Sequence, residues 1–320
     1  MIVVWRITQH CNLTCPFCEW DRSLSRKRSW ICAEQVLHFC RILRDHQQTT
    51  NDRVLLSWLG GEPLLWPHLC DLAAIVRKMG IAQSATTNGT SLASPNMQKQ
   101  ILDNFSELTV SVDGFAEFHD TMRGWYGGWE RIKEAVMDLA ARREDQNPLK
   151  LRANVVLMRD NLPDFPDLCS ELAAWGFDEI TFNALGGRDR PEFFPAHSLR
   201  SEDALALVKL LPALRVRLAQ KGVRLCGSAD YLARISATAN RERLAVANCA
   251  AGESFLFIDE TGRISPCNFT TSAYGVPVES IKCIQDFTKL PAYFARRRLE
   301  MPDATCEDCP STQVFSKFAT

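Results

Sequence analysis

The feature that most constrains this chain is an alternation, through its first two thirds, between short β-rich runs and amphipathic helical stretches. The runs are Ile2 to Ile7, Val54 to Leu59, Gln83 to Thr87, Leu108 to Val112, Arg152 to Leu157 and Glu179 to Asn183, with a weaker one from Val223 to Cys226. Between them lie Glu34 to Leu43, Leu69 to Met79, Trp129 to Ala141, Asp164 to Trp175 and Ser201 to Gln220, whose apolar residues recur at helical spacing. Strands separated by helices cannot be joined by tight hairpins, so they pair in parallel through crossover helices. Six or seven such units make a complete or slightly open β/α barrel, in which chemistry belongs at the carboxyl ends of the strands.

The pattern changes after about residue 240. Ser254 to Ile258 and Arg263 to Ser265 flank Asp259-Glu260-Thr261-Gly262, a hairpin signal. The chain is therefore divided into residues 1–235, the barrel, and residues 236–320, a small cysteine-bearing unit. No internal repeat or low-complexity segment interrupts either part.

A formal net charge of -1, with no block of Lys and Arg, argues against nucleic acid and membrane as partners and leaves a peptide or a small polar molecule. Met1 runs directly into Ile2-Val3-Val4-Trp5 without a basic leader or cleavage pattern, from which a cytoplasmic location is expected. Thirteen cysteines in a chain of this kind read as reduced thiols serving metal rather than as a disulfide framework.

Three of those thiols follow the first strand in His10-Cys11-Asn12-Leu13-Thr14-Cys15-Pro16-Phe17-Cys18, a C-x3-C-x2-C spacing. Three thiolates can hold three irons of a [4Fe–4S] cube and leave the fourth iron open to a ligand. The spacing also describes one face of a helix with buried cysteines, which Pro16 and Asn12 disfavour. A zinc site would need a fourth ligand, and His10 is poorly placed beside Cys11 to close a tetrahedron.

The sequence C-x3-C-x-aromatic-C after a first strand, with Phe17 at the aromatic position, resembles the signature of the radical S-adenosylmethionine (SAM) superfamily. The resemblance implies a partial (β/α)6 TIM-like barrel in which SAM chelates the open iron and is split by one electron to a 5′-deoxyadenosyl radical. It also implies an electron donor such as flavodoxin or ferredoxin. Leu59-Gly60-Gly61-Glu62-Pro63 resembles the family's GGEP motif, which assigns Gly60, Gly61 and Glu62 to the SAM amino group. Thr86-Thr87-Asn88-Gly89 and Ser111-Val112-Asp113-Gly114 resemble recurring strand-end motifs, so Thr87, Asn88, Ser111 and Asp113 are further SAM-contact candidates. Each of these is also ordinary turn chemistry when taken alone. The run His119-Asp120-Thr121-Met122-Arg123-Gly124 resembles the branch with cysteine-rich C-terminal extensions.

A second cysteine set fits that branch. Cys249, Gly262 and Cys267 form C-x12-G-x4-C, and Cys306 and Cys309 form C-x2-C. Four thiolates can close fully around a metal centre, and by spacing alone zinc fits as well as iron. The resemblance is to the twitch domain, the shortened SPASM extension, as in 2-deoxy-scyllo-inosamine dehydrogenase, and implies one auxiliary [4Fe–4S] cluster. A full SPASM extension would carry more cysteines after the C-x2-C pair.

At the end of the sixth strand, Arg188, Asp189 and Arg190 lie in a polar loop and are the candidate substrate contacts, against the alternative of a solvated loop. Of the six remaining cysteines, Cys226 ends the last weak strand and is a candidate hydrogen-atom donor to a substrate radical, against the alternative of a buried structural thiol. The leading expectation is a radical SAM oxidoreductase or modifying enzyme that abstracts hydrogen from carbon of a ribosomal peptide precursor in natural-product biosynthesis. The alternatives are a dehydrogenase or epimerase of a sugar-like or other small polar metabolite, and a non-catalytic iron–sulfur redox sensor.

Overall fold

A computed structural model describes residues 1–144 and 149–320. Seven strands follow one another in parallel: β1 (Ile2–Thr8), β2 (Leu55–Gly60), β3 (Ala82–Thr87), β4 (Glu107–Ser111), β5 (Lys150–Leu157), β6 (Glu179–Ala184) and the two-residue β7 (Arg224–Leu225). The connecting helices are α1 (Ala33–Thr50), α2 (Leu69–Lys78), α3 (Pro95–Asn104), α4 (Ala116–Arg123), α5 (Gly128–Ala141), α6 (Phe165–Ala174), the short α7 (Phe194–His197) and α8 (Ser201–Ala219), and α9 (Ala229–Ala239) follows β7. The α/β architecture expected from the alternation is present. The sheet is not closed, and β7 forms one of its edges.

The expected hairpin forms as β8 (Phe255–Ile258) and β9 (Arg263–Ser265), with β10 (Val276–Pro277) beyond it. It does not stand apart as a separate sheet: β8 pairs in parallel with β1, and among the described residues all ten strands make one sheet in the order β10-β9-β8-β1-β2-β3-β4-β5-β6-β7. After the hairpin come α10 (Thr271–Tyr274), α11 (Ile284–Phe287) and α12 (Leu290–Glu300). Among the described residues no helix is long and apolar enough to cross a membrane.

Alternation along each strand sorts the two faces of the sheet. Trp5 packs edge-on against Phe39 of α1, with ring centroids 5.6 Å apart, and Phe182 against Phe165 of α6 at 5.6 Å, so these residues face the helical layer. The residues between them face the other way and are strongly polar: Arg6 and Thr8 on β1, Ser111 on β4, Arg152 and Asn154 on β5, Thr181 and Asn183 on β6. At the amino ends of the later strands Arg152 pairs with Glu107 at 3.1 Å and Glu179 at 2.6 Å, and Arg224 also pairs with Glu179. That ionic belt is capped by the last residues of the chain, where Phe318 lies under the Arg152 guanidinium and Gly227 N–H donates to Ala319 O at 2.7 Å.

Candidate active site

The cysteine loop leaves β1 at Thr8 and is held by the end of β2. Gly61 N–H donates to Thr8 O and Glu62 N–H to His10 O, both at 2.8 Å. This approach is open only to glycine, because a Cβ on Gly61 would lie 2.4 Å from His10 O and one on Gly60 2.8 Å from Thr8 O. The Gly-Gly pair thus has a backbone reason for following β2, whatever else it contacts.

Each of the three thiols meets a nitrogen donor from a different part of the chain. Cys18 Sγ accepts from Trp20 N–H at 3.4 Å, Cys11 Sγ from Asn88 Nδ2 at 3.7 Å, and Cys15 Sγ from Arg123 Nη1 at 4.0 Å. Burial pushes all three thiols up, Cys15 to about 11 and Cys18 to about 12, while Arg123 opposes the rise at Cys15 and Trp20 N–H the rise at Cys18. Uncomplexed, they are protonated at neutral pH. A metal centre has to displace those protons, and the N–H donors stabilise the thiolates once it does.

Asn88 is fixed on both sides, donating to Asn12 Oδ1 at 2.9 Å and accepting from Thr90 N–H and hydroxyl at 3.0 and 2.8 Å. Glu62 is wholly buried. Its Oε1 accepts from Leu64 N–H at 3.1 Å and Thr87 Oγ1 at 2.8 Å, and its Oε2 from Asn88 N–H at 2.6 Å. Burial raises its carboxyl to about 7 against the pull of those donors. A carboxylate has about four acceptor positions, so one remains on Oε2.

Asp113, also wholly buried, accepts from Arg123 Nε at 2.7 Å and Nη2 at 2.6 Å on Oδ2 and from Val156 N–H at 2.8 Å on Oδ1. Ser111, two residues earlier, ends β4 on the polar face. Arg123, which the sequence offers only as part of the run His119 to Gly124, joins the Asp113 carboxylate, the Cys15 sulfur and the face of Phe17, whose centroid is 5.4 Å from the guanidinium carbon. It closes α4, ten residues after Asp113.

The loop after β6 folds over the cysteine loop. Arg190 Nη1 donates to Asp21 Oδ2 at 3.0 Å and its Nε to Glu192 at 2.5 Å, while Phe193 lies 6.3 Å from Phe17. Arg188 pairs with Asp189 at 2.8 Å and stacks over Phe269 at 4.6 Å, which brings it beside the C-terminal cysteines rather than into solvent alone. Cys226 is fully buried on the polar face, next in register to Thr181, and burial pushes its thiol up.

Cys249, Cys267, Cys306 and Cys309 all line one cavity of about 380 Å³, with Phe255, Thr270 and Tyr274 among its walls. Cys267 Sγ contacts Thr270 Oγ1 at 3.2 Å, and burial raises Cys267 and Cys309, each further raised by charge on neighbouring thiols of the set. The fold brings these four cysteines, distant in sequence, to the walls of one cavity. Among the described residues no three His, Cys, Asp or Glu side chains converge on a point fit for one metal ion. A cube asks for something different, since each thiolate ends on its own iron and the ligands surround a volume. All thirteen cysteines are free of disulfides.

The sequence profile of the Radical SAM superfamily matches residues 5–172. The chain is 24% identical to the AdoMet-dependent heme synthase of Methanosarcina barkeri over 282 residues, 84% of this chain and 76% of that protein. It is 24% identical to the PqqA peptide cyclase of Xanthomonas euvesicatoria pv. vesicatoria over 325 residues, covering 98% and 80%. Among solved structures, Streptococcus suis SuiB bound to its precursor peptide SuiA superposes with a TM-score of 0.70 at 16% identity, covering 99% of this chain and 70% of SuiB. Native anSMEcpe with bound AdoMet gives 0.68 at 16% identity, covering 99% and 88%. These likenesses establish a shared fold.

Proposed function

Since the chain belongs to the radical SAM superfamily, we propose that it abstracts hydrogen from a carbon of a ribosomally made peptide precursor, a post-translational step in natural-product biosynthesis. Membership makes it an enzyme and leaves the redox-sensor alternative without support. When bound, SAM and the reduced [4Fe–4S] cluster supply a 5′-deoxyadenosyl radical, and the protein's part is positioning and the exclusion of water. The observation that carries the reading is the loop after β1, where three thiols each meet an N–H donor and close against Gly60 and Gly61.

Cys11, Cys15 and Cys18 hold the cluster in this reading. Gly60, Gly61 and the remaining acceptor position of Glu62 receive the SAM amino group. Thr87 and Asn88 fix Glu62 and Cys11, and Asp113 fixes Arg123. Ser111 contributes its hydroxyl to SAM, and Phe17 walls the site. Cys249, Cys267, Cys306 and Cys309 hold one auxiliary [4Fe–4S] cluster in the C-terminal unit, residues 236–320, which accepts an electron or shapes the site. Arg188, Asp189 and Arg190 border the substrate path between the two cysteine sets. Cys226 returns a hydrogen atom to the substrate radical, a role favoured by the burial that keeps its S–H intact. Flavodoxin or ferredoxin supplies the reducing electron.

Support for a peptide comes from the relatives named PqqA peptide cyclase and from the fold shared with SuiB. A small polar metabolite is the second reading, favoured by the relatives named heme synthases and by the polar inner face of the sheet. The deciding experiment measures 5′-deoxyadenosine formed by the anaerobically reconstituted enzyme with SAM and a strong reductant, in the presence of host extract split into peptide and small-metabolite fractions. Stimulation by the peptide fraction is the expected result. Stimulation by small metabolites alone overturns it in favour of the second reading.

A further inference from the structure

Lys317 is four residues beyond Gln313, the last polar residue of the tail to line the four-cysteine cavity and still close to Cys309. The tail then turns under the barrel. Ser228 Oγ donates to Phe315 O at 2.9 Å, Arg224 Nη1 donates to Phe318 O at 3.0 Å, and the Phe318 ring lies against the ionic belt. Held this way on both sides, Lys317 is only 6% exposed, and its ammonium reaches inward to Asn154 Oδ1 at 2.8 Å.

Asn154 stands on the polar face of β5, in register with Ser111 of β4 on one side and Thr181 of β6 on the other. Its Oδ1 also accepts from Thr181 Oγ1 at 3.2 Å and Asn183 Nδ2 at 3.3 Å. The amine is therefore one hydrogen bond away from the strand position beside Ser111, on the face where SAM and substrate must meet.

Its charge balance is unusual. The other cations of that face, Arg6, Lys150, Arg152 and Arg224, pair with carboxylates. Among the described residues no carboxylate lies within ion-pair distance of Lys317, whose ammonium also lies 5.2 Å from the Phe318 ring and within electrostatic reach of Arg152 and the Cys226 thiol. An ammonium has three N–H donors, and one amide oxygen accounts for one of them. Burial, aided by Arg152 and opposed by Cys226, pushes the amine down to about 7, as expected of a cation held without a counter-charge. Buried charge in a native protein is paired, and where the protein offers no anion a ligand can.

We propose that Lys317 is a specificity-determining residue whose amine receives a carboxylate of the substrate inside the barrel. The proposal rests on the reading of the chain as a radical SAM enzyme with a substrate in the barrel and adds the chemical class of the group recognised. An acidic side chain or a terminal carboxylate of a peptide satisfies it equally.

The test uses the holoenzyme with SAM and the peptide fraction of host extract, native or with its carboxyl groups converted to methyl esters, and the small-metabolite fraction treated in the same two ways. The first readout is the ratio of stimulated to unstimulated 5′-deoxyadenosine formation in the wild type, Lys317→Arg and Lys317→Met. The second is the rate of Lys317 acetylation by acetic anhydride in unreduced wild-type enzyme, followed by mass spectrometry. The expected results are stimulation by the native fraction that falls about tenfold or more on esterification, partial retention of that discrimination by Lys317→Arg, its loss in Lys317→Met, and slowing of acetylation by the native fraction only. Equal discrimination in wild type and Lys317→Met overturns the proposal, as does acetylation that is indifferent to esterification. If only the small-metabolite fraction stimulates, the peptide reading fails while the esterified and native metabolite arms still decide on Lys317.

Discussion

Gly61→Ala is the substitution whose cost follows most directly from the geometry. The added Cβ would sit 2.4 Å from His10 O, 2.7 Å from His10 C and 3.0 Å from Cys11 Cβ. The first two are backbone atoms and cannot rotate away. To reach an ordinary separation of about 3.5 Å, the His10 carbonyl must retreat by about 1 Å. That retreat opens the bond from Glu62 N–H to His10 O, 2.8 Å. Leaving a buried donor without its acceptor costs about 1–3 kcal/mol, and Cys11 is carried with His10. The variant is expected to bind less iron at the first site after anaerobic reconstitution and to unfold at lower guanidinium concentration. Gly186→Ala is the control, since a Cβ there meets nothing within 4 Å, and its effect should stay within about 0.5 kcal/mol. Full iron loading in Gly61→Ala, with an unfolding midpoint matching Gly186→Ala, would refute the argument that close backbone approach sets this position.

Cys306→Ala removes one wall of the four-cysteine cavity and should lower bound iron from roughly eight atoms per chain to roughly four; loss of zinc with no loss of iron would show that the second site holds zinc instead. Arg123→Met leaves the buried Asp113 carboxylate without its partner and should destabilise the fold by about 3–5 kcal/mol, with Asp113→Asn in the same background recovering part of it in a double-mutant cycle. No coupling between the two substitutions would show that the pair is not the unit described. Cys226→Ala should leave SAM cleavage running but remove the solvent-derived hydrogen from the product, because the wild-type thiol exchanges to S–D in D2O and returns deuterium to the substrate radical while the variant has none to return; unchanged product with unchanged deuterium uptake removes Cys226 as hydrogen donor.

What could be read in advance divides along a physical line. The parallel strands were legible because their β-branched and apolar runs are local, and the thiols because ligand spacing is local too. Helix α3 was missed although Ser94 accepts from Met97 N–H and Pro95 opens the first turn, an N-terminal signal that the apolar pattern alone does not contain. Helix α4 was missed for the opposite reason: it buries His119, Asp120 and Arg123, polar residues that erase the amphipathic period. The parallel pairing of β8 with β1 joins Phe255 to Ile2, and no local pattern specifies a partner that distant in sequence.

The same distinction explains why the two residues with the most to add to the site, Arg123 and Lys317, look unremarkable in sequence. A lone arginine or lysine in a polar run is ordinarily a solvated one. Each becomes informative only when folding removes it from water, and then the question is what balances its charge. For Arg123 the answer lies within the chain, in Asp113 and beside the Cys15 sulfur. For Lys317 the chain supplies an amide oxygen and a ring but no anion among the described residues. The tail that carries it starts at Cys309, so loss of the second cysteine site would loosen the very segment that holds the amine inside the barrel. Cys306→Ala should therefore weaken the discrimination between native and esterified substrate fractions as well as lower the iron content, a coupling that two independent sites would not produce.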